Sequence, residues 1–196
     1  MRKINEIFYS IQGEGHHTGV PAVFIRFSGC NLKCAFCDTD FESGTMMSDE
    51  DIIAEVLKYP QSHLIVLTGG EPSLFIDEGF IAQLKDATSM MIAIETNGTH
   101  TLPSNLDWVT FSPKSAFEGG NLQPAILTNC NELKVVYSGQ PLDGYFDIEA
   151  DYYYLQPCGT SNIIMDRVNI QRTFQVVLAD PRWTLSLQTH KLIGVR

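Results

Sequence analysis

Six short apolar runs recur along the chain with the length and composition of buried β-strands. Each run has four to six residues, is rich in β-branched or aromatic side chains, and is followed by a turn-forming segment. The runs are AVFIRF at 22–27, LIVLT at 64–68, MIAIE at 91–95, WVTF at 108–111, ELKVV at 132–136 and YYYL at 152–155. Apolar residues at successive positions are typical of parallel strands that are buried on both faces.

The segment SDEDIIAEVLKYP, at 48–60, has the pattern of an amphipathic helix. Ser48 can cap the amino end, and acidic residues fill the first turn, where they favour the helix dipole. The helix is expected to end near Pro60. Its predicted apolar stripe consists of Ile52, Ile53, Val56 and Leu57.

Two further helices are predicted later in the chain. One spans 76–88, with Phe80, Ile81 and Leu84 facing inward. The other spans 162–178, and its predicted inward side chains are Ile163, Ile164, Phe174 and Val177.

The alternation of strands and helices predicts right-handed parallel crossovers, hence an α/β fold. The link between the third and fourth runs has only about a dozen residues and no helical period, so a complete ring of eight units cannot form. We therefore expect an incomplete, open TIM-type barrel of about six mainly parallel strands, with few long helices and a final strand near 183–188. No linker divides the chain, and we expect one domain over residues 1–196.

The charge balance disfavours some partners. The chain has 13 Lys+Arg against 23 Asp+Glu, a formal net charge of −10, which repels nucleic acid and acidic membranes unless a basic patch is present. No basic run, signal peptide or spanning apolar segment of roughly 20 residues is seen. These features indicate a soluble cytoplasmic protein that binds neither nucleic acid nor membrane.

Polar clusters follow the predicted strands directly. They are SGCNLKCAFCDT after the first run, GGEP at 69–72, ETNG at 95–98, SPK at 112–114 and QPC at 156–158. Because the carboxyl ends of parallel strands meet at one edge, where α/β proteins bind ligands, these clusters predict a single site.

The first of these clusters contains three cysteines: Cys30, Cys34 and Cys37. In a reducing compartment such a group indicates metal binding or catalysis more than disulfides. A structural zinc ion would need a fourth ligand from His16, His17, Cys130 or Cys158, none at a familiar paired spacing. An iron–sulfur electron carrier normally has four thiolates. Three close cysteines therefore favour a cubane with one iron open to an exogenous ligand.

The spacing Cys-x3-Cys-x-Phe-Cys, with Phe36 just before the third cysteine, resembles the signature of radical S-adenosylmethionine (SAM) enzymes. The resemblance extends over essentially the whole chain to one family, the 7-carboxy-7-deazaguanine synthases of 7-deazapurine and queuosine biosynthesis. The segments that carry it are FYSIQGEGHHTGVPAVFIRFSGCNLKCAFCDT, LTGGEP, IETNGT, FSPK and LSLQTHKLIGVR.

The resemblance implies three cofactors. Cys30, Cys34 and Cys37 would hold a 4Fe-4S cluster whose fourth iron binds SAM, which is split to a 5'-deoxyadenosyl radical. Thr39 matches a magnesium ligand, and Mg²⁺ takes few protein ligands when substrate oxygens and waters complete its octahedron. The residues implied to contact SAM are Phe36, Cys37, Asp38, Gly70, Glu95, Asn97, Ser112, Pro113, Lys114 and Gln156.

The resemblance also implies the substrate, 6-carboxy-5,6,7,8-tetrahydropterin, which loses hydrogen at C6, contracts its ring and releases ammonia. A carboxamide and a carboxylate can read the donor-rich edge of the pterin, and a guanidinium can clasp its carboxylate. Arg26 could instead form a surface ion pair on an edge strand, and His190 could face solvent. The implied substrate contacts are Ile11, Gln12, Gly13, Glu14, Arg26, Thr68 and His190.

Family relatives further imply a homodimer and a flavodoxin- or ferredoxin-type reductant. Two other interpretations are open from the sequence. A glycyl-radical-enzyme activase shares the cysteine loop, and a non-enzymatic zinc or electron-transfer module would need only the metal.

Overall fold

The computed structural model describes residues 1–34, 37, 43–114, 124–160 and 162–195. Nine strands form one sheet in the order β3-β1-β2-β4-β5-β6-β7-β8-β9. The strands are β1 (Arg2–Ile11), β2 (Pro21–Phe27), β3 (Thr45–Met47), β4 (Leu64–Gly69), β5 (Met91–Thr96), β6 (Trp108–Phe111), β7 (Asn129–Tyr137), β8 (Glu149–Pro157) and β9 (Thr184–Leu185). The helices are α1 (Asp49–Val56), α2 (Glu78–Thr88), α3 (Ile163–Ala179) and α4 (Thr189–Ile193).

Every neighbouring pair from β2 to β9 is parallel. The two strands at the other end, β1 and β3, are antiparallel to their neighbours. The predicted α/β fold with an open, mostly parallel sheet is confirmed, and all six predicted runs lie within strands. The sequence analysis missed β1 and β3, which add to the six runs and the predicted final strand.

A β-bulge explains why β1 shows no clear period. The register with β2 shifts between Ile4 and Glu6, which moves later side chains to the opposite face. As a result Ile4 packs on the helix side of the sheet, whereas Phe8 packs in the barrel interior. An alternating pattern that changes phase within one strand cannot be read as a single period.

Helices α1 and α2 are both present, but α1 ends at Val56, before Pro60, and Leu57 of its predicted apolar stripe is 46% exposed. Ser48 and Asp51 make a capping box at the start of α1, which buries Ile52 and Val56. Asp77 caps α2, whose Phe80, Ile81 and Leu84 are fully buried. These two helices cover the first half of the sheet, and the link 97–107 between β5 and β6 contains no helix.

The predicted inward face of α3 is wrong for three of its four residues. Ile163 and Ile164 are each 70% exposed, and Phe174 is 40% exposed. The side chains that α3 buries are Asn169 and Thr173, because Asn169 donates to the carbonyl of Cys158, 2.8 Å away, at the end of β8. The backbone at the end of β8 presents polar groups to α3, and buried polar groups need hydrogen-bond partners, so α3 has polar side chains there.

No helix in the described part of the chain combines the length and the apolar character needed to cross a bilayer.

Candidate functional site

Successive side chains of a strand point to opposite faces, so every second residue enters the barrel interior. These inward residues form an apolar layer and, at the carboxyl ends of the strands, a polar layer. Phe8, Ala22, Phe24, Leu64, Val66 and Ala93 pack together in the interior. The next inward positions along β2, β4 and β5 are Arg26, Thr68 and Glu95, at the carboxyl ends of these strands. Three predicted site residues therefore reach one mouth of the barrel.

Glu95 is the hub of this upper layer. Its Oε2 accepts from Thr68 Oγ1 at 2.8 Å, and its Oε1 accepts from Gln12 Nε2 at 3.2 Å. Lys134 Nζ lies 3.1 Å from the same Oε1. Glu95, a predicted cofactor residue, is thus in direct contact with predicted substrate residues of β4 and of the IQGEG segment.

The IQGEG segment and the carboxyl-terminal LQTHK segment pack directly together. Thr189 donates to the carbonyl of Gly13 through both its amide and its hydroxyl, each at 2.9 Å. A Cβ on Gly13 would overlap the His190 ring, so a larger residue here would displace that ring. The His190 ring therefore lies next to Gly13, one of the predicted substrate residues.

Lys134 is a site residue that the sequence analysis did not single out. It is 4% exposed, and its Nζ lies 2.6 Å from Glu14 Oε2. Burial alone would lower the pKa of Lys134, but the charges of Glu14, Glu95 and Glu132 raise it overall. The signal was present in the ELKVV run, where two charges interrupt an otherwise apolar strand.

Glu14 is held ionised by this lysine. Burial would raise its pKa, but the charge of Lys134, with hydrogen bonds from Lys134 and Gln188, lowers the pKa to about 2. Glu132 responds in the opposite direction, because burial dominates and raises its pKa. Its carboxylate accepts from the backbone amide of His16 at 3.0 Å, which anchors the loop after β1.

Arg26 forms an ion pair with Glu6, with Nε 2.9 Å from Glu6 Oε1. The strand that carries it, β2, lies inside the sheet between β1 and β4 and is not an edge strand. Ile11, the last residue of β1, pairs with Pro21 at the start of β2.

The three cysteines lie in the loop that follows β2. None of the chain's five cysteines, all of which the structure describes, is in a disulfide. Burial raises the pKa of Cys30 and of Cys34, and the neighbouring thiols of the loop add to this effect. The amide of Cys37 donates to the carbonyl of Cys34 at 3.1 Å. This hydrogen bond links the backbone of the second and third cysteines of the loop.

Among the described residues, no three His, Cys, Asp or Glu side chains converge as ligands of a single metal ion. A 4Fe-4S cubane does not require three thiolates to converge on one ion, because each thiolate binds a different iron. Three neighbouring thiols on one loop at a strand end fit that donor set.

The GGEP segment is docked on the cysteine loop through backbone contacts. The Gly70 amide donates to the carbonyl of Phe27 at 3.0 Å, and the Glu71 amide donates to that of Gly29 at 2.9 Å. A Cβ on Gly70 would overlap the carbonyl of Gly29. Only glycine allows the two segments to approach this closely.

Glu71 is a second site residue that the sequence analysis did not single out, although it named the GGEP cluster. It is 1% exposed and accepts from the amide of Asn97 and the hydroxyl of Thr96, each at 2.7 Å. Asn97 in turn donates to Asn31 of the cysteine loop at 3.0 Å. Glu71 thereby ties the GGEP and ETNG clusters together beneath the cysteines.

The remaining predicted cofactor residues also lie at this edge. Lys114 donates to the Ser112 hydroxyl at 2.5 Å, and the Ser112 amide donates to the carbonyl of Thr96 at 2.8 Å. Burial lowers the pKa of Lys114, which acts electrostatically on Cys34. Gln156 is buried and accepts from Ser186 at 2.9 Å. Three predicted residues, Phe36, Asp38 and Thr39, fall outside the described part of the chain.

Comparisons with known proteins agree with this geometry. The family model described as Radical SAM superfamily matches residues 24–127. A relative from Bacteroides thetaiotaomicron, named 7-carboxy-7-deazaguanine synthase, is 54% identical over 100% of both chains. The chain belongs to the 7-carboxy-7-deazaguanine synthase family of the radical SAM superfamily.

Two further matches support membership of the synthase family. A 7-carboxy-7-deazaguanine synthase from Caulobacter vibrioides is 38% identical over 98% of both chains. The crystal structure of QueE from Escherichia coli superposes with a TM-score of 0.73 at 27% identity, covering 96% of this chain and 94% of that one. These matches favour the synthase over the activase and the non-enzymatic metal module.

We predict that Gly70→Ala will weaken the docking of the GGEP segment on the cysteine loop. The added Cβ forces the backbone of Gly29 to move, at a cost on the order of 1–3 kcal/mol. Chemical denaturation should show this loss, and iron incorporation on reconstitution should fall. Gly144→Ala is the matched control, because a Cβ there meets nothing within 4 Å. Equal behaviour of the two variants would contradict the assigned role of Gly70.

The lowered pKa of Glu14 predicts an acid-dependent contribution to stability. Its folded pKa of about 2 lies below the ordinary value of 4.5, so the contribution is complete above pH 4.5 and is lost as the pH falls towards 2. The wild-type free energy of unfolding should exceed that of Glu14→Gln by about 3 kcal/mol at neutral pH, shrinking below pH 4.5. Denaturant titrations between pH 2 and 7 measure this, and a gap independent of pH would contradict it.

Proposed function

We propose that this chain converts 6-carboxy-5,6,7,8-tetrahydropterin to 7-carboxy-7-deazaguanine with loss of ammonia. The observation that carries the proposal is the 54% identity to a 7-carboxy-7-deazaguanine synthase over the full length of both chains. The gathering of Gln12, Glu14, Thr68 and His190 at one barrel mouth supports it. This mouth carries the polar groups that a pterin needs.

Cys30, Cys34 and Cys37 would hold a 4Fe-4S cluster that leaves one iron open for SAM. When bound, the cluster and SAM together supply a 5'-deoxyadenosyl radical, the chemistry that no side chain can provide. The protein's part is to keep the three thiols together on one loop and to dock that loop on GGEP. Thr39 is proposed to bind Mg²⁺.

SAM would be oriented by the polar ends of the later strands. Glu95, Asn97, Lys114 and Gln156 are all partly or fully buried, and each has a hydrogen bond or charge partner in the site. Side chains locked in this way bind without a large loss of conformational freedom. Proposed contacts that complete this set are Phe36, Asp38, Gly70, Ser112 and Pro113.

The IQGEG segment would bind the pterin edge of the substrate, and Arg26 would bind its carboxylate. Because its pKa is about 2, Glu14 is a carboxylate at neutral pH and can accept hydrogen bonds from the pterin edge. The guanidinium of Arg26, held at Nε by Glu6, offers a planar partner for the substrate carboxylate. Proposed contacts that complete this set are Ile11, Gln12, Gly13, Thr68 and His190.

The wider setting of the enzyme is also part of the proposal. One continuous sheet and the match to whole relatives support a single radical SAM domain over residues 1–196. Five cysteines outside any disulfide fit a reducing cytoplasm. A flavodoxin- or ferredoxin-type protein would supply the electron.

Anaerobic incubation of the reconstituted protein with the carboxypterin, SAM, Mg²⁺ and a reductant tests the proposed reaction. We expect 7-carboxy-7-deazaguanine in the wild-type reaction, identified by mass and ultraviolet spectrum. Cys34→Ala should give none, because one iron loses its thiolate. A wild-type protein with its full iron and sulfide content that forms no such product would refute the proposed function.

A homodimer is supported by exposed apolar side chains near the carboxyl end of the chain. On α3 these are Ile163, Ile164, Met165, Val168, Phe174 and Leu178, and on α4 and beyond they are Leu192, Ile193 and Val195. Exposed apolar surface of this kind marks an interaction site, and a second copy of the chain is the occupant we propose.

We predict that Ile164→Lys will shift the protein from dimer to monomer, because the dimer would bury an unpaired charge. Light scattering coupled to size exclusion should show the mass per particle halved. Leu57→Lys, at an exposed apolar position after α1, is the control and should leave the mass unchanged. A wild-type protein that is monomeric at all concentrations would contradict the proposed dimer.

A further inference from the structure

Lys134 lies between two carboxylates that belong to different halves of the site. Its Nζ is 2.6 Å from Glu14 Oε2 and 3.1 Å from Glu95 Oε1, and its side chain is 5% exposed. Glu14 is a proposed substrate contact, whereas Glu95 is a proposed SAM contact. One ammonium group therefore contacts both subsites.

The second carboxylate oxygen of each glutamate also has a hydrogen-bond partner. Glu14 uses its second oxygen to accept from Gln188 at 2.8 Å, and Glu95 uses its second oxygen to accept from Thr68 at 2.8 Å. The result is a continuous chain of contacts from Gln188 through Lys134 to Thr68. It crosses the barrel mouth and joins segments far apart in sequence.

A buried ammonium is retained only where carboxylates compensate for its lost hydration. The converse holds for the carboxylates, since removal of the lysine would leave Glu14, Glu95 and Glu132 as acidic neighbours in a buried space. Lys114 and His190 also act electrostatically on this network. Lys134 contacts both glutamates directly.

We propose that Lys134 is a positioning residue that holds Glu14, which contacts the pterin edge, and the cofactor residue Glu95 in a fixed relation to each other. It acts through these two side chains without touching the reacting atoms. The inference rests on the proposed function, because the roles of Glu14 and Glu95 come from it.

The test is a pH profile of Lys134→Met, which keeps an unbranched side chain one atom shorter and removes its charge. Without the lysine, Glu14 should become protonated at a higher pH and lose its ability to accept from the pterin. We expect kcat/KM for the carboxypterin to fall at least tenfold at pH 7, chiefly through KM. The pH at which kcat/KM falls to half its maximum on the acid side should rise by at least one unit.

Two measurements separate this role from a general defect. Iron and sulfide content should match wild type. Equilibrium binding of the carboxypterin should weaken in parallel with KM. Lys58→Met, at a surface lysine paired with Glu55, is the matched control and should behave as wild type.

If Lys134→Met does not fold, the double variant Glu132→Gln with Lys134→Met removes one acidic neighbour and allows the same profile to be measured. A Lys134 variant with wild-type kinetics, or with a loss that is equal at every pH, would overturn the inference. The proposed function would survive that result if wild type forms product and Glu14→Gln does not. Absence of product from wild type would instead refute the function itself.

Discussion

Charges placed inside a barrel must compensate one another, and this constraint organises the centre of the molecule. Lys134 satisfies it with Glu14 and Glu95, and the hydrogen bonds from Gln12, Thr68 and Gln188 complete the set. The network also holds the loop after β1 and the segment before α4 against the sheet. The polar layer of the site and the packing of these two segments therefore depend on the same few contacts.

Backbone packing imposes the second constraint, on the side of the cysteines. Gly70 lets GGEP touch the loop after β2, and Glu71 links GGEP to Asn97 below it. These contacts anchor the loop that carries the three thiols on the GGEP and ETNG segments. An anchored loop next to a buried polar layer is a setting in which a reactive species can be aimed at one substrate atom and kept from water.

The sequence predicted those features that have a regular period or a specific motif. Parallel strands, α1 and α2 follow from local patterns, and the carboxyl edge follows from the order of the polar clusters. The pattern failed for β1, where a bulge changes the phase, and for α3, where Asn169 and Thr173 face a polar turn. Lys134 and Glu71 could not be assigned from local sequence because their partners lie on distant segments. The residue-level roles, including those of Phe36, Asp38 and Thr39, come from family resemblance and not from periodicity.

The central claim is that Cys30, Cys34 and Cys37 hold a cluster with one iron available to SAM. Electron paramagnetic resonance spectroscopy of the reduced, reconstituted protein with and without SAM tests it most directly, alongside metal and sulfide analysis. The account predicts about four irons and four sulfides per chain and a spectrum that changes when SAM is added. One zinc without sulfide, or a cluster whose spectrum is indifferent to SAM, would contradict it.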